Sequence, residues 1–101
     1  MKPDALVRDL DRLARAVGLT VRVERGRFRG GPCRLDDTRV VVLNRNHPPE
    51  MNAALLADAL AGADLDGLFV PPALRRMIDE AAARRAAGEG DAGPLPDAGD
   101  A

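Results

Sequence analysis

Leu6, Leu10, Leu13 and Val17 recur at intervals of three and four residues, flanked by Val7 and Ala14. That spacing predicts an amphipathic helix over residues 3–17, with Pro3 and Asp4 in its first turn and Gly18 just past its end. Asp4/Arg8 and Asp11/Arg15 stand four apart on its outer side, where such pairs support a helix. The period then changes from 3.6 to 2. Leu19, Val21 and Val23 alternate with Thr20, Arg22 and Glu24, the pattern of a half-buried strand over 19–24. Residues 25–31 (RGRFRGG) form a glycine-punctuated connection in which Gly30-Gly31 make a bulge or sharp turn. A short strand follows around 33–35, Asp36-Asp37-Thr38 turn the chain, and a stronger strand covers 39–44. Val40 to Leu43 is a continuous apolar run, so this strand is expected at the centre of the sheet, covered on both faces. Pro32 lacks a donor and belongs at a strand start or an edge.

Pro48-Pro49 open a second helix over 50–61, with Pro49 near its first position. Ala53, Leu56, Ala57 and Leu60 form its inner face, which Leu55 and Met51 widen, and Gly62 ends it. Leu65, Leu68 and Phe69 are expected to pin the 63–70 loop to the core. Pro71-Pro72 open a third helix to about residue 85, with Leu74, Met77, Ile78 and Ala81 inward. Residues 86–101 (AAGEGDAGPLPDAGDA) carry acid, glycine and proline with one large apolar residue, Leu95, the composition of a disordered tail. The order α-β-β-β-α-α describes a small α+β domain over 1–85: an N-terminal helix, a three-stranded antiparallel meander and two C-terminal helices.

Composition narrows the chemistry. A chain of 101 residues supports one modest core. Phe28 and Phe69 are the only aromatics, which excludes a platform for stacking bases. Fifteen basic against sixteen acidic residues disfavour a general nucleic-acid or membrane coat. Lys2 is the sole lysine, and serine, glutamine, tyrosine and tryptophan are missing, the coding bias of a GC-rich bacterial genome. One cysteine cannot form an internal disulfide. The N-terminus has no apolar signal core and no run approaches membrane-spanning length, so the expected location is the cytoplasm.

Cys33 and His47 are the chain's only cysteine and histidine, and together they make the smallest kit for thiol chemistry, nucleophile and base. The 36–38 turn pairs Cys33 near residue 41 or 42 and leaves His47 about 15 Å further along an extended chain. Cys33 therefore reads as a strand residue facing the core. No metal and no cofactor is expected, since one Cys and one His fall short of a zinc set. The absence of serine excludes serine hydrolysis, and no phosphate-cradling glycine motif is present. Arg22, Arg25, Arg27, Arg29, Arg34, Arg39 and Arg45 form a basic cluster against Glu24, Asp36 and Asp37, a candidate surface for an anion or a partner. Asp58 interrupts the apolar second helix and is read as solvated.

The strand VVVLN, the proline loop and the helix LLADALAG resemble the ImmA/IrrE-type minimal zinc peptidases. In those, a strand ending in asparagine leads through a proline loop to a helix bearing L-A-H-E-L-G-H. The resemblance covers residues 39–62. It places Asp58 on the first zinc histidine, Ala59 on the catalytic glutamate and Gly62 on the second histidine, which implies a zincin-like fold without peptidase activity. The chain also resembles small uncharacterised bacterial proteins sharing a G-G-x-C-R-L, strand-N, D-L…P-P pattern, from which no activity follows.

The leading expectation is a non-catalytic domain acting through protein contacts, with a partner protein or a second copy. Its candidate surfaces are the strand edge at 30–35 and the arginine-bearing strand face. Anion or nucleic-acid binding through the arginines is one alternative, and a thiol-dependent enzyme built on Cys33 is the other.

Overall fold

Residues 2–88 are described by a computed structural model. The elements are α1 (Pro3–Ala16), β1 (Thr20–Glu24), β2 (Gly31–Leu35), β3 (Thr38–Asn44), α2 (Pro49–Ala61) and α3 (Pro72–Ala86). Each helix starts on a proline and none has a side-chain N-cap. Proline's fixed φ and missing N–H suit the first helical position, where no intrahelical acceptor exists. Of the two ion pairs expected along α1, Arg15–Asp11 forms at 2.8 Å, while Arg8 approaches Asp9 instead at 3.9 Å. Residues 86–88 complete and cap α3, and the rest of the expected tail lies outside the described residues.

The sheet is mixed, with strand order β1-β3-β2. β2 and β3 form the expected antiparallel hairpin, with Leu35 opposite Thr38 across the Asp36-Asp37 turn. β1 runs parallel to β3, from Thr20 opposite Val40 to Glu24 opposite Asn44. The antiparallel meander is therefore corrected. A meander puts its second strand in the middle, whereas the apolar run of β3 requires the middle for itself. The connection 25–30 meets that demand by passing the end of β3 to reach the far edge of the sheet. Gly31 is no bulge but the first residue of β2.

The helices cover one face of the sheet. Val21, Val41 and Leu43 point into a core with Leu10, Leu56, Leu60, Leu74 and Ile78. Leu65 is buried and Leu68 packs against the core, but Phe69 is 82% exposed and pins nothing. Met51 is likewise turned outward, so α2's inner face is narrower than its sequence implies. Gly30 lies so close to β3 that a Cβ there would stand 2.6 Å from the Val42 carbonyl oxygen, at a φ of +82°. Only glycine fits.

Asn44 and Asn52 are the two buried polar residues among those described. The Asn44 N–H donates to Asn52 Oδ1 (3.3 Å), and Asn52 Nδ2 donates back to the Asn44 carbonyl (2.9 Å). The Asn44 side chain gives its two N–H groups to the carbonyls of Gly26 (2.9 Å) and Phe28 (2.8 Å), while its Oδ1 accepts from Asn46 N–H (2.9 Å). One residue thus ties β3 to α2, to the β1–β2 connection and to the following turn, with its amide groups satisfied as burial demands.

Both sheet edges are blunted. The Arg45 N–H bonds Glu24 O on β1, so the main-chain groups of alternate β3 residues, Asn44 to Thr38, point toward β2. In β2, Pro32 and Arg34 then direct theirs outward, and Pro32 has no N–H to offer. At the other edge, Arg15 Nη2 reaches the Val21 carbonyl at 3.4 Å.

Candidate functional site on the free sheet face

Since Val21, Val41 and Leu43 face the helices, strand alternation turns Arg22, Glu24, Val42, Cys33 and Leu35 to the opposite face. No helix covers it. The β1–β2 connection brings Phe28 over this face, and a hollow of about 300 Å³ opens there. Phe28, Cys33, Leu35 and Val42 give it an apolar lining, and Arg22, Glu24 and Arg25 give it charge. Leu35 is 48% exposed. Val40 lies buried between its register partners Thr20 and Cys33, apart from the main core.

Cys33 is half-buried on this face, so the expectation that it points into the core is corrected. It stands opposite Val40, not residue 41 or 42. His47 is elsewhere. It lines a separate hollow with Asp4, Arg8, Asp11 and Arg45, between α1 and the start of α2, and its buried Nδ1 has no hydrogen-bond partner among the described residues. The two halves of the thiol kit are not brought together. The one carboxylate beside Cys33, Glu24, is held by Arg22 at 2.8 Å. Among the described residues no three His, Cys, Asp or Glu side chains gather as a metal site would require, and no helix is long and apolar enough to cross a membrane.

The basic cluster divides. Arg22 and Arg25 line the free-face hollow, and Arg27 and Arg29 are exposed on the connection above the sheet. Arg45 belongs to the His47 hollow. Arg34 pairs in register with Arg39, whose alternation with Val41 puts both on the helix side, at the hairpin end. There the guanidinium of Arg39 comes near that of Arg85 on α3, beside Gly62, and Arg85's neighbour Arg84 faces Asp58. Sequence reasoning passed over both of these α3 residues. Arg84 pairs with the Asp58 carboxylate (3.4 Å), and Arg85 donates to the Asp58 carbonyl (3.0 Å). Asp58 keeps a third of its side chain in water, as a solvated residue would, and also ties α2 to α3. Phe28 and Leu35 were also missed as site residues. The signal available for them was an aromatic inside an arginine loop and a leucine on the outward register of an edge strand.

No protein-family model, curated protein or solved structure matches this chain.

Proposed function

We propose that this chain is a non-catalytic interaction module whose free sheet face receives a segment of another protein, one with a large apolar side chain flanked by acidic residues. The observation that carries this reading is the hollow around Phe28, Cys33, Leu35 and Val42. It has the anatomy of a small interface, apolar within and bordered by arginine. Charge selects the occupant. Arg25 has no carboxylate partner among the described residues, Arg27 and Arg29 stand nearby on the connection, and Glu24 is already neutralised by Arg22. A second copy pairing edge to edge is disfavoured by Pro32, which removes a donor from β2.

The finer architecture belongs to the same reading. We take the passage from β3 through a proline loop into α2 as a zincin-like arrangement that has given up its chemistry. Asp58 is engaged by Arg84, Ala59 is buried, and Gly62 has no side chain, which leaves α2 without metal ligands or a general base at those positions.

Selection of displayed peptides on the immobilised protein tests the proposal. Sequences with one leucine-sized or aromatic residue among Asp and Glu are the expected product, and Leu35→Asp should abolish their binding. Failure to enrich any sequence, or equal binding to the Leu35→Asp protein, overturns the reading. Sedimentation that gives a concentration-dependent dimer disrupted by Leu35→Asp assigns the face to a second copy instead.

A further inference from the structure

We infer that the corner formed by the β2–β3 hairpin and the C-terminal ends of α2 and α3 binds a multivalent oxyanion of the phosphate type. The inference starts from Gly62. Of the seven glycines among the described residues, six have positive φ, while Gly62 caps α2 at a φ of −98°. Any residue adopts that conformation, so the backbone does not demand glycine here. The missing side chain leaves space, and the nearest groups around it are guanidinium nitrogens. A Cβ built on Gly62 would lie 3.7 Å from Arg85 Nη2 and 3.9 Å from Arg39 Nη2. Two guanidinium groups from distant elements thus flank one small opening.

Their setting is organised but not neutralised. Arg85 is held by its bond to the Asp58 carbonyl, near the end of α2, where the helix dipole favours positive charge. Arg84 consumes the Asp58 carboxylate. Arg39 and Arg85 have no ion pair among the described residues, and neither Asp36 nor Asp37 at the adjoining turn makes one with them.

A second observation is independent of the first. Arg34 lies directly opposite Arg39 in the hairpin register, at a position where the strands exchange no main-chain bonds and side chains approach most closely. Like charges so placed repel. Arg34, Arg39 and Arg85 have no ion pair among the described residues, a surplus that an oxyanion relieves. Guanidinium forks match phosphate oxygens in pairs, which a single ammonium does not. This site is separate from the free-face hollow and does not depend on it.

Titration with pyrophosphate at low salt, followed by amide chemical shifts, tests the inference. Shifts should centre on Arg39, Gly62 and Arg85. Affinity should fall at least tenfold in Arg39→Gln and in Gly62→Leu, which fills the opening, and stay unchanged in Arg25→Gln on the free face. Arg39→Gln and Gly62→Leu alter exposed positions, so circular dichroism should report both folded, and binding can be read without reference to Arg85 and its structural bond. A nucleoside diphosphate that binds no better than pyrophosphate assigns recognition to the phosphates, and one that binds tighter names a nucleotide as their source. Absence of shifts up to millimolar pyrophosphate, or wild-type affinity in both Arg39→Gln and Gly62→Leu, overturns the site.

Discussion

The carboxamide of Asn52 pairs with both main-chain polar groups of Asn44, doing for the end of β3 what one more residue of β2 would have done. β2 begins opposite Val42, two residues short of Asn44, and a side chain from α2 completes the pairing. The junction between β3 and α2 is consequently a hydrogen-bonded seam. Removing Asn52 by Asn52→Ala orphans the buried Asn44 N–H and is expected to lower stability by about 1–3 kcal/mol. Asn44→Ala keeps those main-chain bonds to Asn52 but strands three other groups, the Gly26 and Phe28 carbonyls and the Asn46 N–H, and its loss should exceed that of Asn52→Ala. Urea titration of both variants measures the order.

Asn44→Asp separates geometry from donor count. The two carbonyls facing Asn44 Nδ2 need donors, which an ionised carboxylate lacks and a protonated one supplies once. The native state therefore holds the proton more tightly than the unfolded chain, whose carboxyl titrates at about 3.9. The variant's stability is best below that value and falls, relative to wild type, as pH rises through the higher native pKa. Denaturation midpoints from pH 3 to 7 should show the gap widening upward. A constant gap refutes the assigned donors.

Two glycines should respond in opposite ways to alanine. At Gly30 the new Cβ meets the Val42 carbonyl at 2.6 Å in a positive-φ backbone, so Gly30→Ala is expected to destabilise by roughly 2 kcal/mol or more. At Gly62 the φ is ordinary and contacts exceed 3.4 Å, so Gly62→Ala should be neutral or stabilising by up to about 1 kcal/mol. Thermal melts of the pair decide it.

The core and the loop aromatic make a similar contrast. Leu56 is fully buried, and Leu56→Ala should cost about 2–5 kcal/mol. Phe69, although the larger side chain, should change stability by under about 0.5 kcal/mol on replacement by alanine, because it remains in water. A large loss in Phe69→Ala by urea titration contradicts the exposed placement.

Cys33 provides a reporter for the free face. Its half-buried thiol is expected to react with iodoacetamide in the native state, more slowly than in urea, and a bound peptide should protect it. Alkylation at equal rates with and without a peptide that binds would place the binding elsewhere.

Much of this fold is legible in the residues. The 3.6-residue period of Leu6, Leu10 and Leu13, the alternation around Val21 and the prolines at 3, 49 and 72 mark element positions closely. Strand direction was not legible in the same way, because alternation is blind to it. The apolar run Val40–Leu43 marked the central strand, which a meander cannot make its third, although only one face of that strand is covered by helices and Val42 lines the open one. Asn44 and Asn52 were passed over because polar residues at an element's end look like turn chemistry until their partners are known. Nothing local marks Arg85, whose side chain comes near that of Arg39 only because both reach Gly62 at the end of α2.

Pro32 and Arg15 have a consequence for how molecules of this protein meet. A further strand added outside β2 would find only one donor, on Arg34, and one added outside β1 would compete with Arg15 for the Val21 carbonyl. Strand-by-strand growth, the route by which small sheets seed fibres, starts here from a defective template on either flank. Crowded together, these molecules are left to meet by their faces rather than by their edges.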